Sequence, residues 1–198
     1  GWSHGDDEII SREQAVEWFD LPDVNRGAAR LDMDKLAALN AHYMKEKSAD
    51  ELFALASEFI TAAGWSDLDA EAEARLKLGL PALADRAKTL VDIGATAKFY
   101  LQEPPIEIEE KAQKALNEDG LAVLADMVEV LGGVADWTED NVKAALMAYA
   151  ESKELKVGKV FQPLRAALTG AMASPGVTEV AFAFGREKTL RHIQAVLG

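Results

Sequence analysis

Residues 158–197 read GKVFQPLRAALTGAMASPGVTEVAFAFGREKTLRHIQAVL. Phe161, Leu164 and Leu168 fall at i, i+3 and i+7, the spacing of one buried helix face. Gly170 is a natural stop for that helix, and Pro163 is tolerable if it falls in the first turn. In Ser174-Pro175-Gly176-Val177 the Pro and Gly occupy the two central positions, as in a type II turn that projects backbone N–H and C=O groups outward. The stretch predicts two or three short helices joined by a tight turn, with Arg165 leaning off the buried stripe toward Thr169 and Gly170.

The same stretch lies in a basic island. Residues 153–198 hold seven Lys/Arg against three Asp/Glu, net +4, whereas the rest holds 14 basic against 31 acidic residues, net −17. A local positive excess on a repelling background suggests a placed contact with an anion. The overall charge of −13 argues against a general DNA or membrane coat. No apolar run approaches a bilayer span, and Cys is absent, which excludes disulfides, a thiol nucleophile and Cys-ligated zinc. A soluble cytoplasmic monomer is the expectation. The chain opens Gly1-Trp2-Ser3-His4 without an initiator Met, as a piece of a longer protein would.

Toward the N-terminus, Ser11-Arg12-Glu13-Gln14 and Ser48-Ala49-Asp50-Glu51 have capping-box spacing. They predict a short helix carrying Val16, Trp18 and Phe19, and a longer one with Leu52, Leu55, Phe59 and Ile60 inward, stopped at Gly64. Between them a helix from about Asp32 carries Leu36, Leu39 and Tyr43. A helix over 67–78 is expected to end at Gly79, with Pro81 opening the next, whose buried face is Leu83, Ala87 and Leu90. Pro104-Pro105 is the strongest break. Helices over 108–116 and 121–131 follow, punctuated by Asp119-Gly120, then one capped by Thr138 with Val142, Leu146 and Tyr149. No sustained alternation of apolar and polar residues suggests a strand, so the expected class is all-α, a multi-helix assembly.

Enzyme chemistry finds little support. His4, His42 and His192 have no metal-binding spacing, and no G-x-S-x-G elbow, P-loop or G-x-G-x-x-G occurs. His42 reads as a packing residue, and the pairs Asp6-Asp7 and Glu109-Glu110 as solvated helix faces. No catalytic residue and no metal site is assigned. In the basic island, a guanidinium and rigid backbone edges are what unpaired RNA bases require. Spacing alone favours a solvated Arg beside an ordinary interhelical turn, since Pro-Gly turns are common.

The residues carry a resemblance. GKVFQPLRAALTG, the SPG turn and GREKTLRHI are similar to the C-terminal end of bacterial glutamyl-tRNA synthetases, class I enzymes. SREQAVEWFDL, AARLDMDKLAALNAHYM and DRAKTL are similar to earlier parts of that region, so the likeness covers nearly the whole chain. The HIGH-type and KMSKS-type ATP signatures are absent. The resemblance thus implies the tRNA-recognising part of a ligase that attaches glutamate to tRNA(Glu), with ATP and Mg used by the parent's catalytic domain and no cofactor here. It implies a stem-contact segment over 1–48 and anticodon-binding helical subdomains over 49–104 and 105–198.

Carried over by motif, Arg165, Ser174, Pro175 and Val177 are the anticodon readers; Ser174 stands where Thr is also used and Val177 where Leu is. The resemblance also implies that Arg86 or Lys88 in DRAKTL faces the anticodon loop. Ala29, Arg30 and Lys35 fall in the stem-contact piece, where a plain surface role for Lys35 fits equally well. Lys159, Lys188 and Arg191 are expected to neutralise phosphates. The alternative is a helical protein-interaction module derived from such a domain that no longer binds RNA.

Overall fold

A computed structural model describes residues 1–27 and 30–198; Ala29, named above, lies outside them. The described residues form helices α1 (Arg12–Trp18), α2 (Met33–Lys45), α3 (Ala49–Ala62), α4 (Ala70–Ala84), α5 (Leu90–Thr96), α6 (Lys98–Leu101), α7 (Glu110–Gln113), α8 (Glu118–Gly132), α9 (Glu139–Ser152), α10 (Val157–Thr169) and α11 (Val177–Leu197), with a 3-10 turn at Leu21–Asp23. They contain no strand, only an isolated His4–Asp7 bridge. The all-α expectation holds.

Local signals that depend only on near neighbours read true. Ser11 with Gln14 and Ser48 with Glu51 both form reciprocal capping boxes, and Thr138 caps α9. A third box joins Thr89 and Asp92 at the start of α5. Gly64, at φ +100°, follows the end of α3.

The glycines and prolines inside helices behave otherwise. α4 runs straight through Gly79 and Pro81 instead of breaking between two helices. Gly79 is there for packing: a Cβ added to it would lie 2.4 Å from the ring of Tyr100. Pro81 forfeits one helical hydrogen bond, yet the flanking Leu80 and Leu83 are buried and hold the helix in place. Gly120 lies in the first turn of α8, capped by Asn117, where a Cβ would strike the Ala115 carbonyl at 1.9 Å. Of the helix expected over 108–116 only α7 forms, and the Glu109 N–H just before it donates to the Gly170 carbonyl at 2.8 Å. α10 starts at Val157, so Pro163 sits inside it, buried, and not in its first turn. Leu55 is exposed, against expectation; Ala56 takes the inward place between Leu52 and Ile60.

One hydrophobic cluster joins Leu52, Ile60, Leu76 and Leu80 to Leu124, Met127, Leu146, Leu164 and Ile193, across the Pro104-Pro105 break. α11 makes this possible by packing on α4 and α6 as well as on α8, α9 and α10. It bends at Gly185 (φ 71°, ψ 171°). The carbonyl of Ala181, one turn before the bend, accepts from Trp137 Nε1 at 3.0 Å and from the Thr189 hydroxyl at 3.2 Å. The bend turns Lys188 and His192 into the core.

Candidate nucleic-acid interface

Gly170 ends α10 in the left-handed conformation (φ 69°, ψ 0°) and sends the chain into residues 171–176. Gly176 has φ −55° and ψ 132°, so the expected type II turn, which needs positive φ at that position, is not formed. Gly176 instead leads directly into α11. Its N–H donates to the Glu179 carboxylate at 2.6 Å, and a Cβ would lie 2.7 Å from that carboxylate.

The loop is held by Arg165. A single guanidinium nitrogen, Nη1, donates to the Ser174 carbonyl (3.1 Å), the Ser174 hydroxyl (3.1 Å) and the Pro175 carbonyl (3.0 Å). Those two carbonyls therefore point at Arg165 and not outward. Burial, and then the nearby Arg86, push the Arg165 pKa down, while Glu179 opposes them. Nη2 and Nε of Arg165 have no partner among the described residues, leaving one edge of the planar fork available.

Arg86 lies just past the end of α4. It donates to the Ala82 carbonyl at 2.9 Å and approaches Glu179 at 3.7 Å. Leu83, Arg86, Ala87, Asp92, Thr96 and Phe99 face Ala173, Ser174 and Pro175 across a cleft of about 350 Å³. Burial raises the Asp92 pKa, but the N–H groups of Lys88 and Thr89 and the Thr89 hydroxyl outweigh it and hold the carboxyl below its ordinary value. Asp92 thus stays charged at the cleft edge and fixes the start of α5. Thr89→Ala, which removes that cap, is expected to lower stability by about 1 kcal/mol in urea unfolding, with an unchanged slope.

Arg165, Ser174, Pro175 and Arg86 are thus brought together from three elements. Lys88 is exposed beside them and outside the cleft lining, its N–H on Asp92 and its carbonyl accepting from Asn40 Nδ2 at 2.6 Å. Val177 is 2% exposed, so any reading at this position falls to backbone groups. Lys159 lies elsewhere, with Lys114 and Lys153 around a cleft of about 520 Å³ between the starts of α8 and α10 and the end of α9. Arg30 is exposed, and Lys35 pairs with Glu8 at 2.7 Å. Arg191 is half-exposed, 3.6 Å from Glu103.

Lys188 departs from expectation. It is 2% exposed, and its ammonium is bound by the Glu103 carboxylate and the Gln102 carbonyl, so it has no surface from which to meet a phosphate. The Gly185 bend sets the phase of the helix after it, which spacing could not reveal. Glu179, Asp92 and Phe99 were not singled out from sequence; Glu179 and Asp92 each left a signal, standing three residues after the helix-opening Gly176 and Thr89.

Residues 36–197 match the family described as Anticodon binding domain. The chain belongs to that family. The chain is also 46% identical over 203 residues to Glutamate--tRNA ligase 2 of Brucella ovis and to Glutamate--tRNA ligase 1 of Brucella melitensis, covering all of itself and 43% of each relative. Among solved structures it is similar to a glutamate tRNA ligase from Elizabethkingia meningosepticum, in complex with its amino acid (TM-score 0.83, 27% identity). It is likewise similar to a glutamate-tRNA synthetase from Elizabethkingia anophelis (TM-score 0.78, 26% identity). Each alignment takes in the whole of this chain and 38% of the solved one. The chain therefore spans less than half the length of the relatives it matches.

Proposed function

We propose that this chain recognises the anticodon of tRNA(Glu) as part of a glutamate–tRNA ligase, which attaches glutamate to that tRNA using ATP. The observation that carries the reading is the cleft between Arg86 and the 173–175 loop, with Arg165 behind it. Arg165 spends Nη1 on fixing the loop and keeps the Nη2–Nε edge, a bidentate donor suited to the acceptor pair of a base. The apolar walls Leu83, Ala87, Phe99 and Pro175 suit an unstacked base face. Lys88 and Arg191 offer positive charge to phosphates, and so do Lys114 and Lys159 at the second cleft, where Asp119 and Asp126 also stand and Lys153 is paired with Asp126 at 3.0 Å; Arg30 and Lys35 are proposed to touch the stem. Among the described residues no three His, Cys, Asp or Glu are grouped to hold a metal ion. ATP and Mg are proposed to act in the remainder of the longer ligase.

Arg165→Ala is expected to weaken binding by about 1–3 kcal/mol and to relax discrimination at one anticodon position. Equal loss for every anticodon variant would make Arg165 a phosphate anchor instead. Affinity for tRNA should fall log-linearly with salt; no detectable binding sinks the reading.

A specific observation favours a protein partner as well. Val16 (72%), Leu21 (77%), Leu31 (71%) and Met33 (64%) are large apolar side chains left exposed before the matched family region begins at residue 36. We propose that this face meets the catalytic domain of the parent ligase. The alternative, a protein-interaction module without RNA binding, keeps this face and lacks the salt-dependent, anticodon-dependent affinity.

A further inference from the structure

We propose that Glu103 is a positioning residue that sets the spacing of the reading cleft by clasping α4 to α11; this rests on the anticodon-reading role given to that cleft above. The two cleft walls come from different parts of the chain. Leu83, Arg86, Asp92, Thr96 and Phe99 stand on or beside α4, α5 and α6, and Ala173–Pro175 join α10 to α11. The tie between the walls near the cleft itself is the long Arg86–Glu179 contact of 3.7 Å.

A tighter tie lies elsewhere along the same helices. The Glu103 carboxylate binds the Lys188 ammonium of α11 and, from α4, Arg75 Nη2 at 3.3 Å; its other oxygen lies 3.6 Å from Arg191. Arg75 and Lys188 are 6% and 2% exposed, so these two cations are shielded from water, whereas the Glu103 side chain that joins them is 54% exposed. Desolvation works against the Glu103 carboxylate, yet Lys188 and then Arg75 and Arg191 hold it below the ordinary glutamate value. Backbone bonds reinforce the hub: Arg75 Nε donates to the Tyr100 carbonyl at 2.7 Å, Lys188 Nζ to the Gln102 carbonyl at 3.0 Å, and Gln102 Nε2 to the Thr169 carbonyl at 3.2 Å.

The hub reaches the cleft through stiff connections. Phe99, a cleft wall, is four residues before Glu103. Tyr100 is wedged against Gly79 with no room for a Cβ, which fastens α6 to α4. Along α4, Arg75 and Leu83 are roughly 12 Å apart at 1.5 Å per residue. α4 and α6 therefore move as one body, and Glu103 ties that body to α11. Without the carboxylate, Arg75, Lys188 and Arg191 face one another with the charge that joined them gone. Their repulsion parts α4 from α11 and opens the cleft.

The absence of Cys makes the test clean. Nitroxides placed by Ala95→Cys and Ala173→Cys, both exposed positions on opposite walls, report the spacing by pulsed EPR. Glu103→Gln is expected to lengthen and broaden that distance and, in the unlabelled protein, to cut the ratio of Kd for anticodon-substituted over cognate tRNA about tenfold. Glu103→Asp, which keeps the charge on a shorter arm, should restore part of both. A lowered Tm with wild-type distance and discrimination would reduce Glu103 to a stabilising residue and overturn the proposal. Should Glu103→Gln fail to fold, Glu103→Asp against wild type carries the same comparison. If wild-type protein binds no tRNA, the anticodon reading falls, while the nitroxide distances still decide the clasp.

Discussion

Lowering the pH from 7 to 4 is expected to remove about 3 kcal/mol of folding stability through one residue, His192. The imidazole is fully buried, 0% exposed, and neither ring nitrogen has a hydrogen-bond partner. Burial first, and the Lys188 ammonium second, push its pKa down from 6.5 to about 4; the Ala167 carbonyl, outside hydrogen-bond geometry, and Glu103 only partly offset them. In the unfolded chain the same ring titrates near 6.5. Between the two values the unfolded state binds a proton that the folded state refuses, so stability is full above 6.5 and is lost progressively down to 4. Glu103 and Asp92, held below their ordinary values, add a further loss that begins only when the unfolded carboxyls start to protonate, nearer pH 4.5. Urea unfolding from pH 7 to 5 isolates the histidine. His192→Leu, similar in volume and without polar atoms to bury, should match or exceed wild type at pH 7 and stay nearly flat down to pH 5. A flat wild-type profile over that range would mean that the ring finds a proton acceptor on folding.

What the sequence disclosed, and what it hid, divides by the range of the interaction. The boxes at Ser11 and Ser48 and the cap at Thr138 were legible because each is closed by a residue three positions on. Gly79 and Gly120 carried the same letter as the stop at Gly64 but a different cause: their partners are Tyr100 and the Ala115 carbonyl, and no local rule names them. Lys188 and Arg191 stand three residues apart on one helix, yet one is buried on Glu103 and the other half-exposed: the bend at Gly185 fixes which face of the segment looks inward, and Arg191 lies at the edge of that face. At the candidate site, Arg165, Ser174 and Pro175 were legible as a motif. Their mutual hydrogen bonds were not, because they depend on Gly176 avoiding the turn that its dipeptide suggests.

Gly170→Ala is expected to cost about 3 kcal/mol, from two effects that add at one atom. The first is conformational: at φ 69° a Cβ crowds the following carbonyl, worth about 1–2 kcal/mol. The second is a collision, because that Cβ would lie 2.1 Å from the Glu107 carbonyl oxygen. Glu107 cannot simply swing away, since Glu109 N–H is bonded to the Gly170 carbonyl at 2.8 Å and pins the segment beside α10. Relief requires backbone movement, at about 1–3 kcal/mol for an overfilled site. Gly64→Ala supplies the control: φ there is also positive, at 100°, but nothing lies within 4 Å of the added carbon. It should cost the conformational part alone. Equal losses in urea unfolding for the two variants would show that residues 107–109 yield freely. A larger loss at Gly170 should be accompanied by weaker tRNA binding, because Gly170 launches the loop that Arg165 holds at Ser174 and Pro175. Gly64→Ala, just past the end of α3 and away from that loop, should leave binding unchanged.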